Sequence, residues 1–153
     1  MKNFQVSKNF SFFELTNTKD HPELLEANRE YFLTEPYAGR LVVFAESMLE
    51  EIRFTVDAPV VVNSCGRCPE LNKAVGGVTT SQHLFSTEYD GAADFYVLGG
   101  DVEAVAFKIV NAGLRFYQMR IYTKSGFIHI GSCRAKNNGQ IAFPESEMPG
   151  WAK

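Results

Sequence analysis

The chain changes its hydrophobic period partway along its length, and that change constrains the fold more than any other feature. Over residues 35–54, Leu41, Phe44, Ala45, Met48, Leu49 and Ile52 recur at intervals that place them on one face of a helix. Glu46, Glu50 and Glu51 fall mostly on the other side. Beyond that segment the apolar residues come in short β-branched or alternating runs: Pro59-Val60-Val61-Val62, Ala92 to Val97, residues 117–122 and residues 127–130. Helices first and strands later predict an α+β fold, an antiparallel sheet with helices packed on one face.

Local signals fill in the rest. Ser11 and Glu14 have capping-box spacing and predict a short helix. Residues 22–33 read as helix. Residues 69–75 read as a short helix stopped by Gly76-Gly77. Residues 101–112 form an amphipathic helix pattern with Asp101 as N-cap and Gly113 just past its end. The last two strand runs are joined at Lys124-Ser125-Gly126, and residues 140–143 suit an edge strand.

The 153 residues suffice for one domain with a real core, taken as residues 1–153. A net charge of −3 gives no broad attraction to nucleic acid or to an anionic membrane. No apolar run is long enough to span a bilayer. The N-terminal stretch lacks the apolar core of a secretory signal, so the chain is expected to be cytoplasmic as synthesised and to act as a monomer. Three cysteines, an odd number, argue against a disulfide framework.

One residue in the strand runs is chemically out of place. Asp94 lies in Ala92-Ala93-Asp94-Phe95-Tyr96-Val97, otherwise the pattern of a buried strand. A buried carboxylate is costly unless a cation or hydrogen bonds compensate it. Of the three histidines, His21 precedes Pro22 and reads as a surface loop residue, His83 follows Ser81-Gln82 in a polar loop, and His129 sits inside the run 127–130. Two histidines and one carboxylate make a common open zinc site, with a fourth position left for water. Water bound there loses a proton near neutral pH and attacks a carbonyl. Zinc would therefore account for the charge of Asp94.

The run Val62-Asn63-Ser64-Cys65-Gly66-Arg67-Cys68-Pro69-Glu70-Leu71-Asn72, then Val75-Gly76-Gly77, Ser81-Gln82-His83 and Ala92-Ala93-Asp94-Phe95, resembles the zinc D-alanyl-D-alanine carboxypeptidase family. The family includes cell-wall peptidases and phage endolysins, and the hedgehog signalling domain shares its fold. The resemblance extends over about residues 60–130, and residues 10–15 are similar to the opening of these domains. It implies that His83, Asp94 and His129 are the zinc ligands. It implies that Arg67 meets the substrate's carboxylate, a task suited to a planar guanidinium, and that Ser81 lies near the substrate.

Three features set this chain apart from the family pattern. The usual interval between the family's first histidine and its aspartate selects Asp90, whereas the Ala-Ala-Asp-Phe context selects Asp94. Asp94 is taken as the ligand, with residues 86–89 as an inserted loop and Asp90-Gly91 as ordinary turn chemistry. Where relatives carry a proton-moving residue this chain has Gly126 and Phe127, which leaves Glu88 or Asp90 of the inserted loop as substitutes. Cys65 replaces the usual glycine and creates Cys65-Gly66-Arg67-Cys68. That pair reads as packing residues, as a redox dithiol, or as part of a structural zinc site with Cys133 and His129; packing is preferred. Tyr89, Tyr96 and Tyr122 are candidates to line a peptide groove.

The expected function is a zinc metallopeptidase hydrolysing a bond of peptidoglycan stem peptides, of D,D-carboxypeptidase or L-Ala-D-Glu type. It would reach the wall after release or as part of a phage particle. The alternatives are a non-catalytic zinc-bearing wall-binding or virion module, and a thiol oxidoreductase.

Overall fold

The computed structural model describes residues 1–152. Helix α1, Phe12–Leu15, begins as the capping box predicts. The Ser11 hydroxyl accepts from Glu14 N at 3.4 Å, and the Glu14 carboxylate accepts from Ser11 N at 3.3 Å. A 3₁₀ turn at Pro22–Leu24 leads into α2, Leu25–Phe32. The long helical pattern is not one uninterrupted α-helix. It runs as α3, Tyr37–Phe44, then a π-helical turn, Ala45–Leu49, then α4, Glu50–Val56. Within the π turn, the Ser47 hydroxyl donates to the Val43 carbonyl at 2.6 Å. Asp57, in the left-handed conformation, ends the helix.

Next come β1, Val60–Ser64, α5, Pro69–Ala74, and β2, Ala92–Val97. Helix α6, Val102–Asn111, follows, with the Asp101 carboxylate accepting from Ala104 N at 3.0 Å. The remaining strands are β3, Gln118–Tyr122, β4, Phe127–Gly131, and β5, Gln140–Ala142. Together they form an α+β fold around an open five-stranded sheet of order β1-β2-β4-β3-β5.

The expected antiparallel sheet needs one correction. β1–β2, β2–β4 and β4–β3 are antiparallel, but β5 runs parallel to β3. The chain reverses once after β4 and passes to the far edge of β3, so it must run in the direction of β3.

Strand parity then sorts the side chains. Val60, Val62, Phe95, Val97, Met119, Ile121, Ile128 and Ile130 point to the helical side and are buried with Leu41, Phe44, Leu49, Ile52 and Ile109. Each such apolar side chain contributes about 1.5–3 kcal/mol on burial. The opposite face carries Ser64, Asp94, His129 and Arg120. The β1–β2 pairing passes from Val62↔Phe95 to Ser64↔Asp94, so Asn63 is an extra residue, a bulge that turns the chain toward the next loop. Among the described residues no helix is long and apolar enough to cross a membrane.

Candidate metal centre and its cleft

Asp94 and His129 face each other across β2 and β4. Their alternation with buried neighbours aims both side chains away from the helices. Nδ1 of His129 lies 2.7 Å from Oδ1 of Asp94. His83 arrives from a loop. The Ser81 hydroxyl accepts from His83 N at 3.3 Å and opens a 3₁₀ turn, Gln82–Leu84, which Phe85 ends in the left-handed conformation.

The His83 ring is oriented by a backbone carbonyl, with Nδ1 2.7 Å from Cys65 O. A carbonyl only accepts, so Nδ1 carries the proton and neutral His83 presents a lone pair at Nε2. That lone pair faces Oδ1 of Asp94 at 3.4 Å. Two acceptors therefore oppose each other, an arrangement a cation between them relieves. Bond lengths of about 2.1 Å to a tetrahedral zinc place two ligands roughly 3.4 Å apart. The three ligand atoms of His83, Asp94 and His129 all lie within 4.8 Å of one another, so this group can hold a metal ion.

Electrostatics favour the ligating protonation states. Burial lowers the pKa of His83, and the Asp94 charge offsets this only in part. Burial alone would raise the Asp94 carboxyl, but the facing imidazoles outweigh it and hold the group well below the usual carboxylate range. Arg67 secures the other carboxylate oxygen. Its Nη2 donates to Oδ2 of Asp94 at 3.3 Å, its Nε to the Ser64 hydroxyl at 3.1 Å, and its backbone N to the His83 carbonyl at 2.8 Å.

A residue that sequence reasoning missed holds the Arg67 loop. Asn28 of α2 is fully buried; its Nδ2 donates to the Thr16 and Gly66 carbonyls at 2.9 Å each, and its Oδ1 accepts from Cys68 N at 2.6 Å. Its only signal was a polar residue in a helix, which ordinarily faces solvent. Gly66 is required beside it, because a Cβ there would come within 2.7 Å of the Phe32 ring. Two other family-like motif residues also support the walls. Asn72 Nδ2 donates to the Val78 carbonyl at 2.9 Å, and Gln82 Nε2 donates to the Ser132 carbonyl at 2.9 Å. A Cβ at Gly131 would come 2.0 Å from Gln82 Oε1, so glycine lets Gln82 lie against β4.

The cluster opens into a cavity of about 420 Å³ whose lining includes Arg67, Ser81, Arg120, Tyr122, Phe127 and Arg134. The rings of Tyr122 and Phe127 stack with centroids 4.2 Å apart. Among the described residues Asp94 is the only carboxylate residue in the lining, against three arginines.

Several expected groups are placed elsewhere. Glu88 is exposed and lines a separate hollow with Arg40, Ser47 and Arg115, because the loop at 86–89 lies toward α3 rather than over the cleft. Asp90 is outside the cluster and ion-paired to Arg134, with Oδ1 3.1 Å from Nη2. Of the three tyrosines, only Tyr122 lines the cleft; Tyr89 and Tyr96 are exposed outside it, while Tyr117 lines it beneath the Arg134 guanidinium. Cys65 and Cys68 are buried free thiols, and burial raises both pKa values, the reverse of an activated dithiol. Among the described residues no cysteine joins a metal-ligand cluster.

A protein-family model described as Peptidase M15 matches residues 16–131, a span containing the whole cluster and the Arg67 loop. No curated protein and no solved structure gave a match.

Proposed function

This chain belongs to the peptidase M15 family, and on that premise we propose that it is a zinc-dependent peptidase acting on the stem peptides of peptidoglycan. The observation that carries the reading is the convergence of His83 Nε2 and His129 Nδ1 on one oxygen of Asp94 at the floor of an open cleft. His83, Asp94 and His129 would hold the ion. Bound zinc supplies a polarised scissile carbonyl and an acidified water. Arg67 keeps Oδ2 of Asp94 engaged while its remaining donors orient a substrate carboxylate. Cys65 O keeps the proton on Nδ1 of His83 and thereby leaves Nε2 free to ligate.

Among the described residues no second carboxylate residue lines the cleft to take the proton of the attacking water. A positioned base contributes about 10²–10⁴-fold, so slow turnover is expected. The same observation favours a second reading, a zinc-bearing module that binds wall peptides without cutting them.

One assay separates the two. The zinc-loaded protein is incubated with a stem pentapeptide, then stripped with a chelator and reloaded. Under the peptidase reading, cleavage disappears and returns with zinc, and His83→Ala loses both bound metal by elemental analysis and activity. Hydrolysis that survives both treatments overturns the metal mechanism. Binding without hydrolysis selects the module.

A further inference from the structure

The sheet register extends the site beyond the metal cluster. Ser64 pairs with Asp94, Asp94 with His129, and His129 with Arg120, forming one row across β1, β2, β4 and β3 on the cleft face. Arg67 occupies the β1–β2 end of the row through its bonds to Ser64 and Asp94. Arg120 occupies the other end, next to His129.

The three cleft arginines are not equivalent. Arg67 is ion-paired to Asp94 and Arg134 to Asp90. Arg120 is exposed, lines the same cavity, and has no carboxylate partner among the described residues. Its guanidinium lies 5.9 Å from the Tyr122 ring centroid, so an aromatic face lies beside a cation with free donors.

The geometry points to Arg120 as a second carboxylate-binding residue, so that the substrate is a peptide with two carboxylates, one on each side of the metal cluster. This rests on the peptidase reading above, with Arg67 at the terminal carboxylate. Two strand spacings separate β2 from β3, roughly 10 Å. An extended peptide covers that distance in about three residues. The second carboxylate therefore lies about three residues upstream of the terminal one. The stem pentapeptide L-Ala-γ-D-Glu-L-Lys-D-Ala-D-Ala meets this requirement, because the free α-carboxylate of its γ-linked glutamate has that separation from its C-terminus.

The test uses this pentapeptide in two forms, with the glutamate α-carboxyl free or as a carboxamide. Preference is read as the ratio of kcat/KM where the peptide is cut, and as the ratio of calorimetric Kd where it is not. The wild-type zinc protein should prefer the free acid by roughly tenfold or more, as for a charge-assisted hydrogen bond. Arg120→Gln should abolish the preference by weakening the acid form alone, and Arg120→Lys should restore part of it. Unchanged zinc content and melting temperature show that these variants are folded. A wild-type protein that does not distinguish the two peptides overturns the proposal, and so does a preference that survives Arg120→Gln. Failure of the peptidase reading looks different: preference in Kd with no cleavage leaves the Arg120 site standing.

Discussion

His83 shows how one side chain carries both a structural and a chemical assignment. Its Nδ1 is committed to Cys65 O, which leaves Nε2 for the centre. Burial holds its pKa below the ordinary 6.5, so the folded protein resists protonation there more than the unfolded chain does. In the window just below 6.5 the unfolded state binds more protons, and stability rises with pH. The metal-free protein should therefore keep the full His83 contribution above pH 6.5 and lose it progressively as the solution is acidified. Melting temperatures measured from about pH 5 to 8 check this, and His83→Asn should flatten the slope. A slope equal in both proteins would refute the assignment. Asp94, by contrast, titrates in a separate and more acid window, since its folded pKa is depressed from 3.8. Asp94 was conspicuous in the sequence because a charge in an apolar strand is anomalous. Asn28 was not, because a helical asparagine is unremarkable until its burial is known.

At the scale of elements, Asn28 joins α2 to two other segments, the end of α1 and the loop carrying Arg67. Asn28→Ala would strand two carbonyls and one N–H in the interior. Each unsatisfied group costs about 1–3 kcal/mol, so for three groups a loss of about 3–9 kcal/mol is expected in urea unfolding, with weaker zinc binding. A loss under about 1 kcal/mol would show that water replaces the side chain. Elements set by local chemistry were legible. The strand Ala92–Val97 follows its alternation, and the capped starts of α1 and α6 follow Ser11 and Asp101. The Asn63 bulge and the parallel direction of β5 were not legible, because they depend on which distant strand supplies the partner. The π turn at Ala45–Leu49 also escaped notice, since it preserves an apolar face while shifting the backbone hydrogen bonds.

For the whole molecule, charge is distributed unevenly. The chain carries −3 overall, yet its cleft presents Arg67, Arg120 and Arg134 against Asp94. Such a field favours acidic ligands and is screened by salt, with a Debye length of about 10 Å at 0.1 M. Raising salt from roughly 0.05 M to 0.5 M should weaken binding of the pentapeptide with both carboxylates free more than that of its carboxamide. Equal salt dependence for the two would mean that the arginines do not act on the ligand.

The row from Ser64 to Arg120 has a further consequence for how the protein matures. Each of four strands supplies one member, and sliding any strand by a single position would bury its polar member and thrust an apolar neighbour outward. For β2 and β4 the penalty is double: slippage there would also carry Asp94 or His129 away from His83 and dismantle the one group that could hold a metal ion among the described residues, so correct alignment of those two strands and an intact centre stand or fall together.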